Sequence, residues 1–522
     1  MSQNKKLLKF TGIIGLSTFA SRILGFARDV LFARLFGTDI YAQAFVVAFR
    51  LPNMLRDLIG EGATNAAIVP VLSKYRHSYP IKRYWQGARS IFLNLVLVMG
   101  VVIIVGFTFA PFLVKILAPG FVESPEKFSY TVLLTKLLLP YIFFLGLVSY
   151  CNGILNSFDY FLTPALSPVL LNICMVVALV YVCPVVGVKG LVIGIYVGGI
   201  AEVLLQVPQM YKKGFRWIND FKLIHPASVR VWGLLIPRMV GSAVYQLSIL
   251  IDTVMASLSV VVGAGGVAAL YYAHRLTHLP LAIFGISLAT AVLPRMSREA
   301  AAGDNEGLKK TMAFSLGIVF LIMIPASVGL MVLSDHIIRL LFQRGEFTEY
   351  STSITSNALY YYTFGLAAFA GIKILVSAFF SLGDTKTPVK TASMALFINF
   401  VLILIFMWKL KIGGLALATS VAAIWNFGIL YVMLVKKIGD FGTKGLARDL
   451  VKISVSSVLM GVLTHLMGNL IVSGVKSNIV QLALLGGDIA LSGIFFIVLA
   501  WLFGIGDVRR FVKGCFRRVG VK

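Results

Sequence analysis

Arginine recurs inside segments that are otherwise apolar. Arg22, Arg28 and Arg34 lie in the stretch 10–35, Arg50 and Arg56 in 41–72, and Arg275 in 266–296. Asp29, Asp57 and Glu61 accompany them, as do His274 and His278. A charged side chain at the centre of a bilayer costs roughly 2.5–3.5 kcal/mol on insertion scales, so such residues turn toward a protein interior or a watery cavity. Because the arginines outnumber the carboxylates, a cavity lined by them attracts an anion. The planar guanidinium fork suits phosphate or pyrophosphate best. The competing reading is mutual pairing: Arg22 and Asp29, like Arg50 and Asp57, are seven apart and share a helical face. Arg34, near a helix end, can snorkel to the boundary. Arg22 and Arg28 are six apart, roughly 120° off a common face in a straight helix. Gly25 between them offers a place for a bend.

The elements that must hold these charges follow from composition. The chain has 522 residues, 58% of them hydrophobic and only 13% charged, with a mean hydropathy of +0.90. Soluble domains carry about 25% charged residues. A soluble enzyme and a disordered chain are therefore excluded. Continuous apolar stretches about 20 residues long favour helices over a barrel, so the expected class is an all-α polytopic membrane protein. Fourteen spans are expected, near 10–35, 41–72, 90–117, 129–156, 164–184, 187–210, 231–262, 266–296, 311–334, 352–381, 388–408, 413–435, 450–472 and 480–503. The first apolar stretch reads as a retained span rather than a cleaved signal. The net charge of +26 reads as a topology signal, not as a nucleic-acid footprint. Lys74, Arg76, Lys82, Arg83, Lys212, Lys213, Lys436, Lys437 and the basic tail Arg509 to Lys522 fall on one side. That side is the cytoplasm, and both termini belong there. Cys151, Cys174, Cys183 and Cys515 show no paired spacing, and no disulfide or metal framework is implied.

An internal repeat runs through the chain. Thr163-Pro164 recurs as Thr387-Pro388, Gly190-Leu191 as Gly414-Leu415, Lys212-Lys213 as Lys436-Lys437, and Pro70-x-x-Ser73 as Pro294-x-x-Ser297, each 224 residues on. Ala48-x-Arg50-Leu51 matches Ala273-x-Arg275-Leu276 with one residue of slippage. The expected organisation is an N-lobe over 1–213, a C-lobe over 214–437 and two extra spans with a basic tail over 438–522. An offset of six spans makes the repeats parallel, an architecture that suits alternating access. GDTKTP (Gly383–Pro388) lacks the phosphate-cradling spacing G-x-x-x-x-G-K-[ST], and no H-E-x-x-H metal motif is present. No nucleophile–base pair stands out, so no covalent chemistry is expected. Asp252, in SILIDTVMASL, is a membrane-embedded acid and hence a candidate ion or proton ligand.

Several long motifs then carry a resemblance. Ser21–Thr38 (SRILGFARDVLFARLFGT) and Ala44–Tyr75 resemble the MurJ/MviN family of bacterial lipid II flippases, as do Ala118–Phe121 (APGF), Tyr271–Leu276 (YYAHRL), Phe342–Thr348 (FQRGEFT) and Gly383–Lys390 (GDTKTPVK). The likeness covers the whole chain. It implies the multidrug/oligosaccharidyl-lipid/polysaccharide exporter fold and export of lipid II, the undecaprenyl-pyrophosphate-linked peptidoglycan precursor, from the inner to the outer leaflet. It places the essential cavity arginines on Arg22, Arg28, Arg56 and Arg275, with Asp29 beside Arg28. Gln43, Arg50, Glu61 and His278 are secondary cavity candidates. Gln43 stands where members commonly carry Asp, and His278 where some carry Glu, so no carboxylate-based gating is expected at either. The likeness also implies a sodium site of Asp252, Asn399 and Thr419, with a proton as the other coupling ion. The two extra spans would help form a groove for the lipid tail.

The expected mechanism is alternating access, with membrane lipids and lipid II as partners, no nucleic acid and no tightly held cofactor. Competing readings are a flippase for another undecaprenyl-linked oligosaccharide, a cation-coupled drug exporter of the same fold, a membrane-bound enzyme and a cell-wall scaffold. A drug exporter for cations needs an acidic cavity lining, and an enzyme needs a catalytic set at an aqueous face.

Overall fold

The computed structural model describes residues 3–61, 67–216, 222–472 and 478–506. Among the described residues 89% are helical and none is in a strand. It divides into two compact units. One runs to Ser259 and takes in Arg344–Phe347; the other holds Val260–Gln343 and the chain from Thr348 onward.

The first unit contains α1 (Gln3–Phe36), α2 (Ile40–Leu55), α3 (Val69–Ser78), α4 (Ile81–Thr108), α5 (Ala110–Leu117), α6 (Pro125–Leu138), α7 (Tyr141–Ser157), α8 (Leu162–Val177), α9 (Cys183–Val186), α10 (Lys189–Lys212) and α11 (Pro226–Ala256). A short α12 (Ser259–Val262) marks the boundary. The second contains α13 (Gly266–Pro280), α14 (Ser287–Ala301), α15 (Asn305–Val332), α16 (Ser334–Phe342), α17 (Glu349–Thr363), α18 (Leu366–Ser381), α19 (Lys386–Leu410), α20 (Ile412–Ile438), α21 (Thr443–Val472) and α22 (Asn478–Leu502). Each unit has its own core. In the first, Tyr84, Ile91, Leu95 and Met99 of α4 pack with Ile142, Tyr150 and Ile154 of α7. In the second, Met312, Leu316, Phe320 and Met323 of α15 pack with Ile374, Leu375 and Phe379 of α18.

Among the described residues, ten helical segments are long and apolar enough to cross a bilayer, and the pair α17–α18, bent by 46°, makes an eleventh. The expected count of fourteen is not reached by this measure. Three expected spans, on α1, α2 and α11, are not among those counted. α1 carries Arg22, Arg28, Asp29 and Arg34. α2 is only 16 residues long, contains Pro52 and passes into a π-helical turn at Arg56–Glu61. α11 runs over 31 residues, with Pro237 inside it. α1 carries no break at Gly25; that glycine faces α8 instead, where a Cβ would lie 3.7 Å from Asn172.

The 224-residue period reappears as structure. A π-helical turn follows α2 at Arg56–Glu61 and another follows α13 at Leu281–Ile286. Lys437 at the end of α20 donates to Asp384 at 2.7 Å. Its counterpart Lys213 sits 5.8 Å from the ring centroid of Tyr160, the counterpart of Asp384. Packing draws a different boundary from the repeat. The repeat makes α11 the first element of the second half, yet α11 packs on α3, α4 and α5 of the first unit.

Two of the long motifs are structural joints. The backbone N–H of Glu346 donates to the Arg34 carbonyl at the end of α1 at 2.9 Å. Gly345 there has φ +60, and a Cβ would overlap that carbonyl, so only glycine fits. Asp384 in GDTKTP accepts from the Thr387 N–H at 3.0 Å and the Thr387 hydroxyl at 2.8 Å, tying the start of α19 to Lys437. Lys437, then the Thr387 amide, hold the Asp384 carboxyl well below the usual carboxylate range. A depressed carboxyl stabilises the fold above its unfolded value near 3.9, and that contribution is lost as pH falls. Asp384→Asn is expected to lower unfolding stability at pH 7 by about 1 kcal/mol, as for a lost cap. The gap to the parent protein should close in melts run below about pH 4.

Candidate functional site

α1 carries the first part of the site. Arg28 is half-buried and Asp29 is buried. Arg28 Nε and Nη2 both reach Asp29 Oδ1, at 3.0 and 2.7 Å. Arg28 Nη1 donates to Asn172 Oδ1 on α8 at 3.2 Å. Asn172 in turn donates to the Ser21 carbonyl at 3.2 Å and the Pro168 carbonyl at 3.0 Å. The guanidinium is thus held in one orientation by a neighbouring carboxylate and a side chain from another helix. Arg22 lies one and a half turns earlier and is exposed. The two arginines do not share one environment, as their spacing requires.

α2 and its π-helical turn carry the second part. Arg50 Nη2 donates to Thr253 Oγ1 of α11 at 3.0 Å. Arg56 is partly exposed and lies 3.7 Å from Asp57, too long for a strong hydrogen bond. Its Nε is buried and has no hydrogen-bond partner. Asp57 is itself engaged by Gln246 of α11 at 3.2 Å. The seven-residue pairings expected from the sequence, Arg22 with Asp29 and Arg50 with Asp57, are replaced by neighbour pairs, Arg28 with Asp29 and Arg56 with Asp57. Seven residues span about 10.5 Å of helix, more than an ion pair tolerates.

In the second unit Arg275 is exposed on α13. Its guanidinium carbon lies 5.0 Å from the Tyr271 ring centroid, and Nη2 reaches the Tyr271 hydroxyl at 3.2 Å. Such stacking holds an arginine without neutralising it. His278 packs its ring 4.2 Å from that of His274.

The remaining candidates divide. Gln43 is buried, donating to the carbonyls of Thr38 and Asp39 and accepting from Lys127 at 3.0 Å. Lys127 also sits 3.7 Å from the centre of the Phe121 ring. Gln43 is therefore a strut between α2 and α6. The Glu61 side chain and the tail Arg509 to Lys522 lie outside the described residues. Thr419 donates to Asn399 at 3.3 Å in the second unit; Asp252 is half-buried on α11 of the first. No cluster of three or more His, Cys, Asp or Glu suited to a metal occurs among the described residues. The residues missed from the sequence are neutral ones: Asn172, Thr253, Gln246 and Tyr271. Their one signal is an isolated polar group in an apolar helix, too common to single out.

Apolar helices that keep arginines on partly buried faces define a polytopic membrane transporter. The fold is that of an inward-facing MATE multidrug transporter, with a TM-score of 0.67 at 15% identity over 81% of this chain and 96% of that one. A solved structure described as lipid II flippase MurJ in an inward closed conformation matches at a TM-score of 0.79 and 26% identity, covering 96% of this chain and 99% of that one. A Vibrio cholerae protein named "Probable lipid II flippase MurJ" is 35% identical over 439 residues, 82% of this chain and 83% of that protein. A Burkholderia cenocepacia protein named "Lipid II flippase MurJ" is 30% identical over 495 residues, 93% and 95% respectively. The family profile described as lipid II flippase MurJ matches residues 32–484. The chain belongs to the lipid II flippase MurJ family. It is a multi-pass inner-membrane transporter and not an enzyme.

Arg28 makes bonds that one ammonium cannot reproduce, since lysine lacks the fork. Arg28→Lys should therefore impair function nearly as much as Arg28→Ala. Asn172→Ala, which keeps the charge and frees its orientation, should give an intermediate loss in a growth-complementation assay.

Proposed function

We propose that the protein flips lipid II from the inner to the outer leaflet of the cytoplasmic membrane by alternating access, with both termini in the cytoplasm. Arg22, Arg28, Arg56 and Arg275 serve as ligands for the anionic head group in an arginine-lined cavity. The observation that carries this reading is Arg56: its Nε is desolvated without an acceptor and its nearest carboxylate is 3.7 Å away. A cation in that condition is poised for a stronger anion, and a pyrophosphate supplies the paired oxygens that a guanidinium fork takes. Arg28, already engaged by Asp29 and Asn172, orients rather than neutralises. Arg275 stacks on Tyr271.

Other features support the same reading. Val451, Val455, Val458, Val462 and Leu466 form an exposed apolar stripe along α21, at the i, i+4, i+7 spacing of one helix face. Such a stripe suits an isoprenoid tail that never leaves hydrocarbon. Outward movement of an anion is favoured by a membrane potential negative inside, worth about 2.3 kcal/mol per charge per 100 mV. Asp252, or Asn399 with Thr419, would bind a coupling sodium ion or proton.

The test is leaflet-resolved labelling of lipid II in cells depleted of the protein and resupplied with variants. Precursor should accumulate in the inner leaflet on depletion, and the parent protein should restore export. Arg56→Ala and Arg275→Ala should insert normally and cut export about 10- to 100-fold, the loss of one charge-assisted hydrogen bond at roughly 1.5–3 kcal/mol. Normal export with all four arginines replaced would sink the site. Normal export of lipid II during depletion, with a different undecaprenyl-linked sugar trapped inside, would reassign the cargo.

A further inference from the structure

A second polar cluster lies in the first unit, on the interface of α8 and α10. Glu202 is 4% exposed, yet it stands in the middle of a membrane-length helix. Ser167 donates to its Oε1 at 3.1 Å. Gln206, one turn beyond Glu202 and fully buried, reaches Ser167 Oγ through Nε2 at 3.3 Å. Thr163 lies one turn before Ser167 on α8 and is 5% exposed. Thr163 Oγ1 and Gln206 Oε1 are both buried with no hydrogen-bond partner. Buried polar atoms are nearly always satisfied, and an orphan calls for a ligand, an ion or a role. Here two orphan oxygens lie one turn from the bond that joins Ser167 to a buried carboxylate.

The donor set specifies the ligand. Carboxylate, hydroxyls and an amide carbonyl are hard oxygen donors that select hard cations over soft ones. One carboxylate balances one positive charge. A divalent ion would leave a net charge in hydrocarbon, which is costly. Two residue pairs, each spaced i and i+4, bring these oxygens to facing turns of two packed helices.

The repeat provides the control. Counterparts of Thr163, Ser167, Glu202 and Gln206, 224 residues on, are Thr387, Thr391, Asn426 and Leu430. The hydroxyls persist, an amide, Asn426, replaces the carboxylate with its own Oδ1 buried and unpartnered, and leucine replaces the glutamine. Thr387 is already satisfied by Asp384 at 2.8 Å, whereas Thr163 is not. The helix pair folds without the acid, so Glu202 is an addition to the first half rather than a packing requirement.

We propose that Glu202, Gln206, Ser167 and Thr163 form a binding site for a desolvated monovalent cation of sodium type. This site is distinct from Asp252, Asn399 and Thr419 and does not rest on the identity of the cargo. Arg56 acts on Glu202 electrostatically, and Glu202 acts in turn on Tyr141 and Cys174.

The experiment uses the full-length purified protein in detergent, melted in NaCl against choline chloride at matched ionic strength. It is run on a background of Asp252→Asn with Thr419→Ala, so that neither other candidate contributes. Sodium should raise the midpoint of this background protein in a saturable way. Adding Glu202→Gln should abolish that rise while leaving the midpoint in choline unchanged. Adding Gln206→Leu, which installs the residue type of the second repeat and keeps the charge, should shift the half-saturating sodium concentration upward at least tenfold. A sodium response that survives Glu202→Gln would overturn the site. So would a midpoint that ignores sodium and responds only to acid, because Glu202 would then hold a proton. Export assays of the cargo are a separate readout, so failure of this proposal leaves the flippase reading standing, and the reverse holds too.

Discussion

A guanidinium group in a membrane must find acceptors for five N–H donors or face water. Much of the first unit can be read as answers to that demand. Arg28 takes a carboxylate on its own helix and an amide from α8. Arg50 takes a hydroxyl from α11. Arg56 takes least: its Nε has no acceptor and Asp57 is 3.7 Å away. The same demand bears on α1 and α2, which carry charged residues inside apolar stretches. They trade hydrocarbon compatibility for charge and rely on α8 and α11 for neutral partners.

The two repeats use one scaffold for different ends. Arg50 and Arg275 occupy matching places before matching π-helical turns, yet one is pinned to Thr253 and the other lies against Tyr271. Lys213 and Lys437 close the same helix pair in each half, one over an aromatic ring and one on a carboxylate. Glu202 occupies in the first half the position that Asn426 fills in the second. Duplicated backbones with unequal side chains leave different polar groups at matching positions of the two halves.

Lipid acts as the outer solvent. Val101, Ile104, Phe112, Tyr181, Val185, Phe397, Trp408 and Ile494 are exposed. In water they would be an aggregation liability; in hydrocarbon they cost nothing. The driving force for packing shifts to close contact and polar bonds. That is why the α8–α10 and α19–α20 pairs pack closely while their outer faces stay apolar.

The helical class, the membrane setting, the 224-residue repeat and the positions of the arginines were all legible in the amino-acid sequence. Each depends on local hydropathy, residue type or spacing, and these survive in one dimension. The family resemblance was legible as well, through long motifs whose glycines and acids, such as Gly345 and Asp384, prove to be joints. What the tertiary structure alone decided was who partners whom. Arg28 and Asn172 are 144 residues apart, and Arg50 and Thr253 are 203. Spacing on a single helix suggested pairs seven residues apart, but rise along the axis separates such pairs, and nearer acceptors captured the donors. It also decided that Gln43 is a buried strut, that α11 packs with the first unit, and that Glu202 has orphan oxygens beside it. A side chain chooses among the acceptors within about 3 Å, and folding brings those acceptors from helices that sequence order keeps far apart.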